Sequence, residues 1–117
     1  MDGRRAPWYT IGMQVQEAEG VIVVTLGEEE CVALWKTLEP YIDGGRRNVV
    51  LDMGQVSFLN SVNIAAIIAA RNKVVALGGK LAIADLKDRV RSIFRVLKLD
   101  RLFDLGRSLD AAIAAVR

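Results

Sequence analysis

The sequence contains no histidine. That removes the commonest general base and the commonest metal ligand, and with them every Ser/His/Asp or Cys/His catalytic set. A single cysteine, Cys31, cannot form an internal disulfide, and no Cys/His cluster exists to hold zinc. With 2 prolines and few serines, the composition does not support disorder along the whole chain. The longest apolar run, Ile64 to Ala70, falls well short of the roughly 18 residues of a membrane span. Residues 1–10 hold no apolar run of the kind a secretory signal needs. Charge of one sign is lacking too. The balance of 16 basic against 14 acidic residues leaves +2, too little to indicate nucleic-acid binding. Together these absences point to a domain with no metal or cofactor, no nucleic-acid partner and no membrane insertion, placed in a reducing cytoplasm.

What is present suits one folded unit. A chain of 117 residues fits one domain, 52% apolar residues can fill its core, and 26% charged residues can cover its surface. Residues 1–10 read as a tail, with Trp8 and Tyr9 as candidates to pack at its end, and residues 11–117 as the domain. Met13-Gln14-Val15-Gln16 alternates like a half-buried strand. Glu19-Gly20 is a turn signal, and Val21-Ile22-Val23-Val24-Thr25-Leu26 is a β-branched run, so an antiparallel hairpin is expected. Residues 28–41 read as a helix: Val32, Leu34, Trp35, Leu38 and Ile42 recur at helical spacing, and Glu28, Glu29 and Glu30 crowd the first turn. Gly44-Gly45 ends it.

Asn48 to Met53 reads as a buried strand, Ser61 to Leu77 as a second helix stopped by Gly78-Gly79, and Leu81 to Ala84 as another strand. Lys87 to Lys98 reads as a third helix, with Val90, Ile93, Phe94 and Leu97 on one face. Leu102-Phe103-Asp104-Leu105 is a candidate short edge strand, and Ser108 caps a last helix through Val116. Alternating helices and apolar strands indicate a sheet with helices packed on it.

The second helix has two apolar faces. With Ser61 at zero and about 100° per residue, Ile64, Ile67, Ile68, Val74 and Val75 gather on a core side. The opposite side carries Val62, Ala65, Ala66, Ala69 and Ala70, where a solvent-facing helix would carry Glu, Lys or Gln. Two readings fit: a helix buried on both sides or rich in alanine for its propensity, and a smooth docking surface that lets a partner backbone come close.

The segment Val49-Val50-Leu51-Asp52-Met53-Gly54-Gln55-Val56-Ser57-Phe58-Leu59-Asn60-Ser61 resembles the signature of STAS domains, in which an apolar strand ends in Asp and a short loop leads through a Ser- or Thr-containing turn into a helix. Leu77-Gly78-Gly79-Lys80-Leu81 and the third helix are similar to the family as well, so the resemblance covers about residues 13 to 116. It implies a single-domain α/β fold: a mixed sheet of four to five strands, with about four helices packed mainly on one face. It also implies a bacterial regulator of transcription that resembles the anti-sigma-factor antagonists and binds a protein rather than a small molecule. The partner would be an anti-sigma factor that is itself a serine kinase, with a phosphatase completing the switch; a homodimer stays open.

By position, the resemblance makes Ser61 the phosphoacceptor, with Ser57 a second candidate in the same loop. Ser57, Phe58, Asn60, Val62, Asn63, Ala65, Ala66 and Ala69 would form the partner-binding surface. Asn60 stands where the family usually has an acid, Val62 where it has a second Ser, and Asn63 where it has Gly. These departures keep a second role open: a subunit of a stressosome or of a lipid-transport ABC complex, without phosphorylation. An enzyme or small-ligand binder is disfavoured by the missing catalytic sets.

Ser61 has a purely structural reading beside the functional one. A Ser at a loop-to-helix junction can accept a hydrogen bond from a first-turn N–H, worth about 1 kcal/mol, and Asn60 could do the same one residue earlier. No Glu or Gln follows either at the third position to complete a capping box. Elsewhere, Lys87, Arg89, Arg91, Arg95, Lys98 and Arg101 crowd one stretch. Such a run is usually a solvated face, and its sharper reading is an electrostatic dock for an acidic surface. Cys31 reads as a structural cysteine.

Overall fold

The computed structural model describes residues 13–27 and 31–117. The expectations placed on residues 1–10, on Trp8 and Tyr9, and on Glu28, Glu29 and Glu30 lie outside the described residues.

Strands β1 (Met13–Ala18) and β2 (Val21–Leu26) form an antiparallel hairpin in which Ala18 faces Val21. Only two residues close it, and both take positive φ, the type I′ arrangement that matches the strand twist. Gly20 does so at no steric cost, whereas Glu19 is a non-glycine residue held at φ 55°. After a 3₁₀ turn (Cys31–Ala33) comes α1 (Leu34–Asp43), which buries Leu34, Leu38 and Ile42 at i, i+4, i+8. Strand β3 (Asn48–Asp52), helix α2 (Ser61–Ala76) and strand β4 (Lys80–Ala84) follow. Helix α3 (Asp88–Val96) and a 3₁₀ turn (Leu99–Arg101) lead to α4 (Leu109–Val116). The strands lie in sequence order, with β2, β3 and β4 mutually parallel.

The two-residue period of the strands sorts the side chains into two cores. Ile22, Val24 and Leu26 of β2, Val49 and Leu51 of β3 and Ile83 of β4 pack under α1, α2 and α3, where the rings of Phe94 and Phe103 meet edge to face at an interplanar angle of 65°. The alternate residues Val21, Val23, Val50 and Ala84 meet Ala112, Ile113 and Val116 of α4 on the other face. Three helices thus share one face and α4 covers the second. Ser108 caps α4 as expected, its Oγ accepting from the N–H of Ala111 at 3.2 Å.

Helix α2 ends in a Schellman motif. The N–H of Gly79 donates to the carbonyl of Val74 at 2.9 Å and that of Gly78 to Val75 at 3.0 Å, with Gly78 at φ 87°. Gly79 is required for a different reason: a Cβ there would lie 1.9 Å from the carbonyl oxygen of Arg47, so the chain entering β3 and the chain entering β4 could not close together.

Three expectations are corrected. Residues 102–105 form no strand. Their polar groups are taken elsewhere: the Leu105 carbonyl accepts from Arg91 Nε at 3.1 Å, and the Asp104 carboxylate accepts from the N–H of Gly106 at 3.0 Å, which makes a turn. The sheet therefore has four strands among the described residues. The core face of α2 is also rotated from the expected one. Ala70 is fully buried and Val75 is exposed, because the buried arc runs through Asn63, Ile67, Ala70 and Val74. In α3, likewise, Val90 and Phe94 are buried while Leu97 is not.

Candidate functional site

The loop between β3 and α2 leaves the carboxyl end of the parallel strands, where α/β sheets commonly place their sites. Asp52 begins it. Its Oδ1 accepts from the N–H of Gly54 at 3.0 Å, and a turn follows in which the N–H of Val56 donates to the Met53 carbonyl at 3.1 Å. Met53, Val56 and Leu59 are buried and tie the loop to the core, each apolar anchor contributing about 1.5–3 kcal/mol. The residues between them point outward: Ser57 is exposed, and Phe58 is 58% exposed.

At the end of the loop Asn60 is extended (φ −98°, ψ 176°), and its side chain accepts from the N–H of Asn63 at 2.8 Å. Asn60 is therefore the cap of α2, and Ser61 is the first helical residue. The two readings of Ser61 separate here: capping belongs to its neighbour, and the Ser61 side chain is exposed. Among the described residues no hydrogen bond occupies the Ser61 hydroxyl.

Beyond Ser61, Val62 is 58% exposed, Ala65 and Ala69 are exposed, and Ala66 is half-buried. With Phe58 these make a small-residue apolar surface next to the hydroxyl. Asn63, expected on that surface, is only 7% exposed and lies on the buried side of the helix. Ala70, which the sequence pattern placed on the outer face, is buried with it.

The sequence grouped Lys87 with the basic run of the third helix and gave no sign of its contact with this loop. This residue precedes α3, and its Nζ donates to Ser57 Oγ at 3.1 Å. It brings a cation to the rim of the loop. Two shifted pKa values lie away from this site. Asp104 is held below the ordinary carboxylate range, first by the N–H of Gly106 and then by Arg107, and Arg46 is raised by its hydrogen bond to Glu17. Among the described residues no group of His, Cys, Asp and Glu side chains could hold a metal ion, and no helix is long and apolar enough to cross a membrane.

The class defined by these features is a mixed α/β domain with an exposed serine at the head of a helix, ringed by small apolar side chains. Comparison with known proteins makes it specific. The family model of the STAS domain matches residues 13–112, and the chain belongs to that family. It is 27% identical over 106 residues to the Bordetella bronchiseptica protein BtrV, named as an anti-sigma factor antagonist, covering 91% of this chain and 88% of that one. The structure of an anti-sigma factor antagonist from Mycobacterium paratuberculosis is similar at TM-score 0.75 and 25% identity, covering 90% of this chain and 92% of that one. The phosphorylated form of the Bacillus cell fate determinant SpoIIAA shares the fold at TM-score 0.65 and 18% identity, covering 90% of this chain and 99% of its own.

Proposed function

We propose that this domain is a cytoplasmic regulatory module that binds an anti-sigma factor through the β3–α2 loop and the exposed side of α2, and that phosphorylation of Ser61 releases the partner. The domain acts as a ligand of other proteins, not as a catalyst; kinase and phosphatase are separate chains. The observation that carries this reading is the division of labour at the start of α2. Asn60 caps the helix, so the Ser61 hydroxyl stays exposed and, among the described residues, unengaged.

A phosphate on Ser61 would add about −1.5 to −2 charge at a helix N-terminus, where free N–H groups and the positive end of the dipole tolerate it. The fold would survive. A partner seated on Phe58, Val62, Ala65 and Ala69 would have to bury that charge against apolar groups, which is costly. The complex would weaken for that reason.

The test is intact mass spectrometry of the protein from its own cells, with and without phosphatase, followed by site mapping. A phosphatase-sensitive phosphate on Ser61 is expected. Its absence under several growth conditions would overturn the switch. It would leave a constitutively binding STAS subunit, the reading favoured by Asn60 in place of an acid and Val62 in place of a second Ser.

A further inference from the structure

The outer face of α3 combines two features that the Ser61 surface does not use. The first is exposed apolar area. Val96 is 79% exposed and Leu97 50%, and with half-buried Ile93 they form an open apolar patch along the side of α3 that begins at Asp88 and Arg89. A short amphipathic helix normally turns such side chains inward, as α3 does with Val90 and Phe94. The second feature is unbalanced charge. Arg91 is engaged, pairing with Asp88 at 2.6 Å and donating to the carbonyls of Leu86 and Leu105. Arg89, Arg95, Lys98 and Arg101 are exposed and form no ion pair among the described residues. Cations in the last turn complement the helix dipole. That accounts for Arg95 and Lys98, but not for Arg89, nor for two large aliphatic side chains left in water beside them.

We propose that this face is a second docking surface, for an acidic segment of a partner protein that inserts apolar side chains between Ile93, Val96 and Leu97. Charge complementarity selects the occupant. A second copy of this chain would bring Arg89, Arg95 and Lys98 against their own like, which is repulsive. A bilayer is poorly matched as well: the face carries no aromatic residue to anchor at an interface, and its apolar part is three aliphatic side chains, Ile93, Val96 and Leu97. The face runs the length of a nine-residue helix, about 14 Å, which matches two turns of a partner helix laid along it. The Lys87–Ser57 hydrogen bond sets the start of α3 beside the β3–α2 loop, so one partner could span both surfaces.

The experiment places the photo-cross-linker p-benzoylphenylalanine at position 96, in the full chain expressed in its native cells. Irradiation is followed by mass spectrometry of the adduct. The exposure of Val96 predicts an unchanged melting midpoint, measured first. The expected adduct joins position 96 to a net-negative segment of another protein with apolar residues at helical spacing. The double variant Arg89→Glu/Arg95→Glu should lower its yield by roughly tenfold. An adduct to a second copy of this chain, an adduct to lipid, no adduct, or a yield indifferent to charge reversal would each overturn the proposal. The same cross-linker at Val62 probes the Ser61 surface separately. An adduct at 62 without one at 96 removes this inference and leaves the proposed function standing.

Discussion

Asn60 accepts the hydrogen bond from the N–H of Asn63, 2.8 Å away, and so stands directly before Ser61 as the cap that Ser61 does not have to be. The pair separates stability from chemistry in two adjacent residues. Asn60→Ala should therefore destabilise the domain by about 1 kcal/mol, and Asn60→Asp should retain most of that, since a carboxylate caps equally well. Ser61→Ala should change stability by less than about 0.5 kcal/mol. Urea unfolding of the three variants checks the order; a larger loss in Ser61→Ala than in Asn60→Ala would assign the cap to the wrong residue.

The same geometry predicts the effect of negative charge at position 61. Ser61→Glu places a carboxylate in the first turn of a 16-residue helix. It should leave the fold intact and raise stability by about 0.3–1 kcal/mol at low ionic strength, fading with added salt. Thermal melts at two salt concentrations measure this. A loss of fold would show that phosphorylation could act only by unfolding.

Gly79 answers a steric demand rather than a conformational one. A Cβ there meets the Arg47 backbone at 1.9 Å, and backbone yields less readily than a side-chain tip. Gly79→Ala should cost about 1–3 kcal/mol. Gly106→Ala, with nothing closer than 3.9 Å, serves as the control expected to cost little at that position.

Asp104 carries a pH prediction. Its folded pKa lies below the ordinary value of 3.8, because the N–H of Gly106 and then Arg107 favour the charged form. The stabilisation is therefore present above that value and is lost as pH falls through the folded pKa. The melting difference between the wild type and Asp104→Ala should be visible near neutral pH and vanish in strong acid. A difference that grew on acidification would contradict the assignment.

Lys87 joins α3 to the loop through one exposed hydrogen bond to Ser57. Lys87→Met should cost less than about 1 kcal/mol globally. Its effect should be local, with faster amide hydrogen exchange at Ser57 and Phe58 and little change at Val56 or Leu59, whose side chains are buried.

Much of this was legible in the sequence because it depends on near neighbours along the chain. The alternation of Val21, Ile22, Val23 and Val24 assigns side chains to two faces of a sheet wherever that sheet lies. Gly78-Gly79 stops α2 through bonds that reach back only to Val74 and Val75. The run from Asp52 to Ser61 is likewise a local pattern, and it led to the family. The tertiary structure decided what depends on distant neighbours. Helical periodicity could not say which arc of α2 turns inward. Contact with α1, seen where Lys73 Nζ lies 4.9 Å from the Trp35 ring, and with the sheet brings Ala70 in and leaves Val75 out. Residues 102–105 have the composition of a strand, but Arg91, from another element, holds the Leu105 carbonyl that a ladder would need. The choice between Asn60 and Ser61 as cap was open for the same kind of reason. Both side chains suit the position, and the buried side chains of Val56 and Leu59 set where the chain enters the helix.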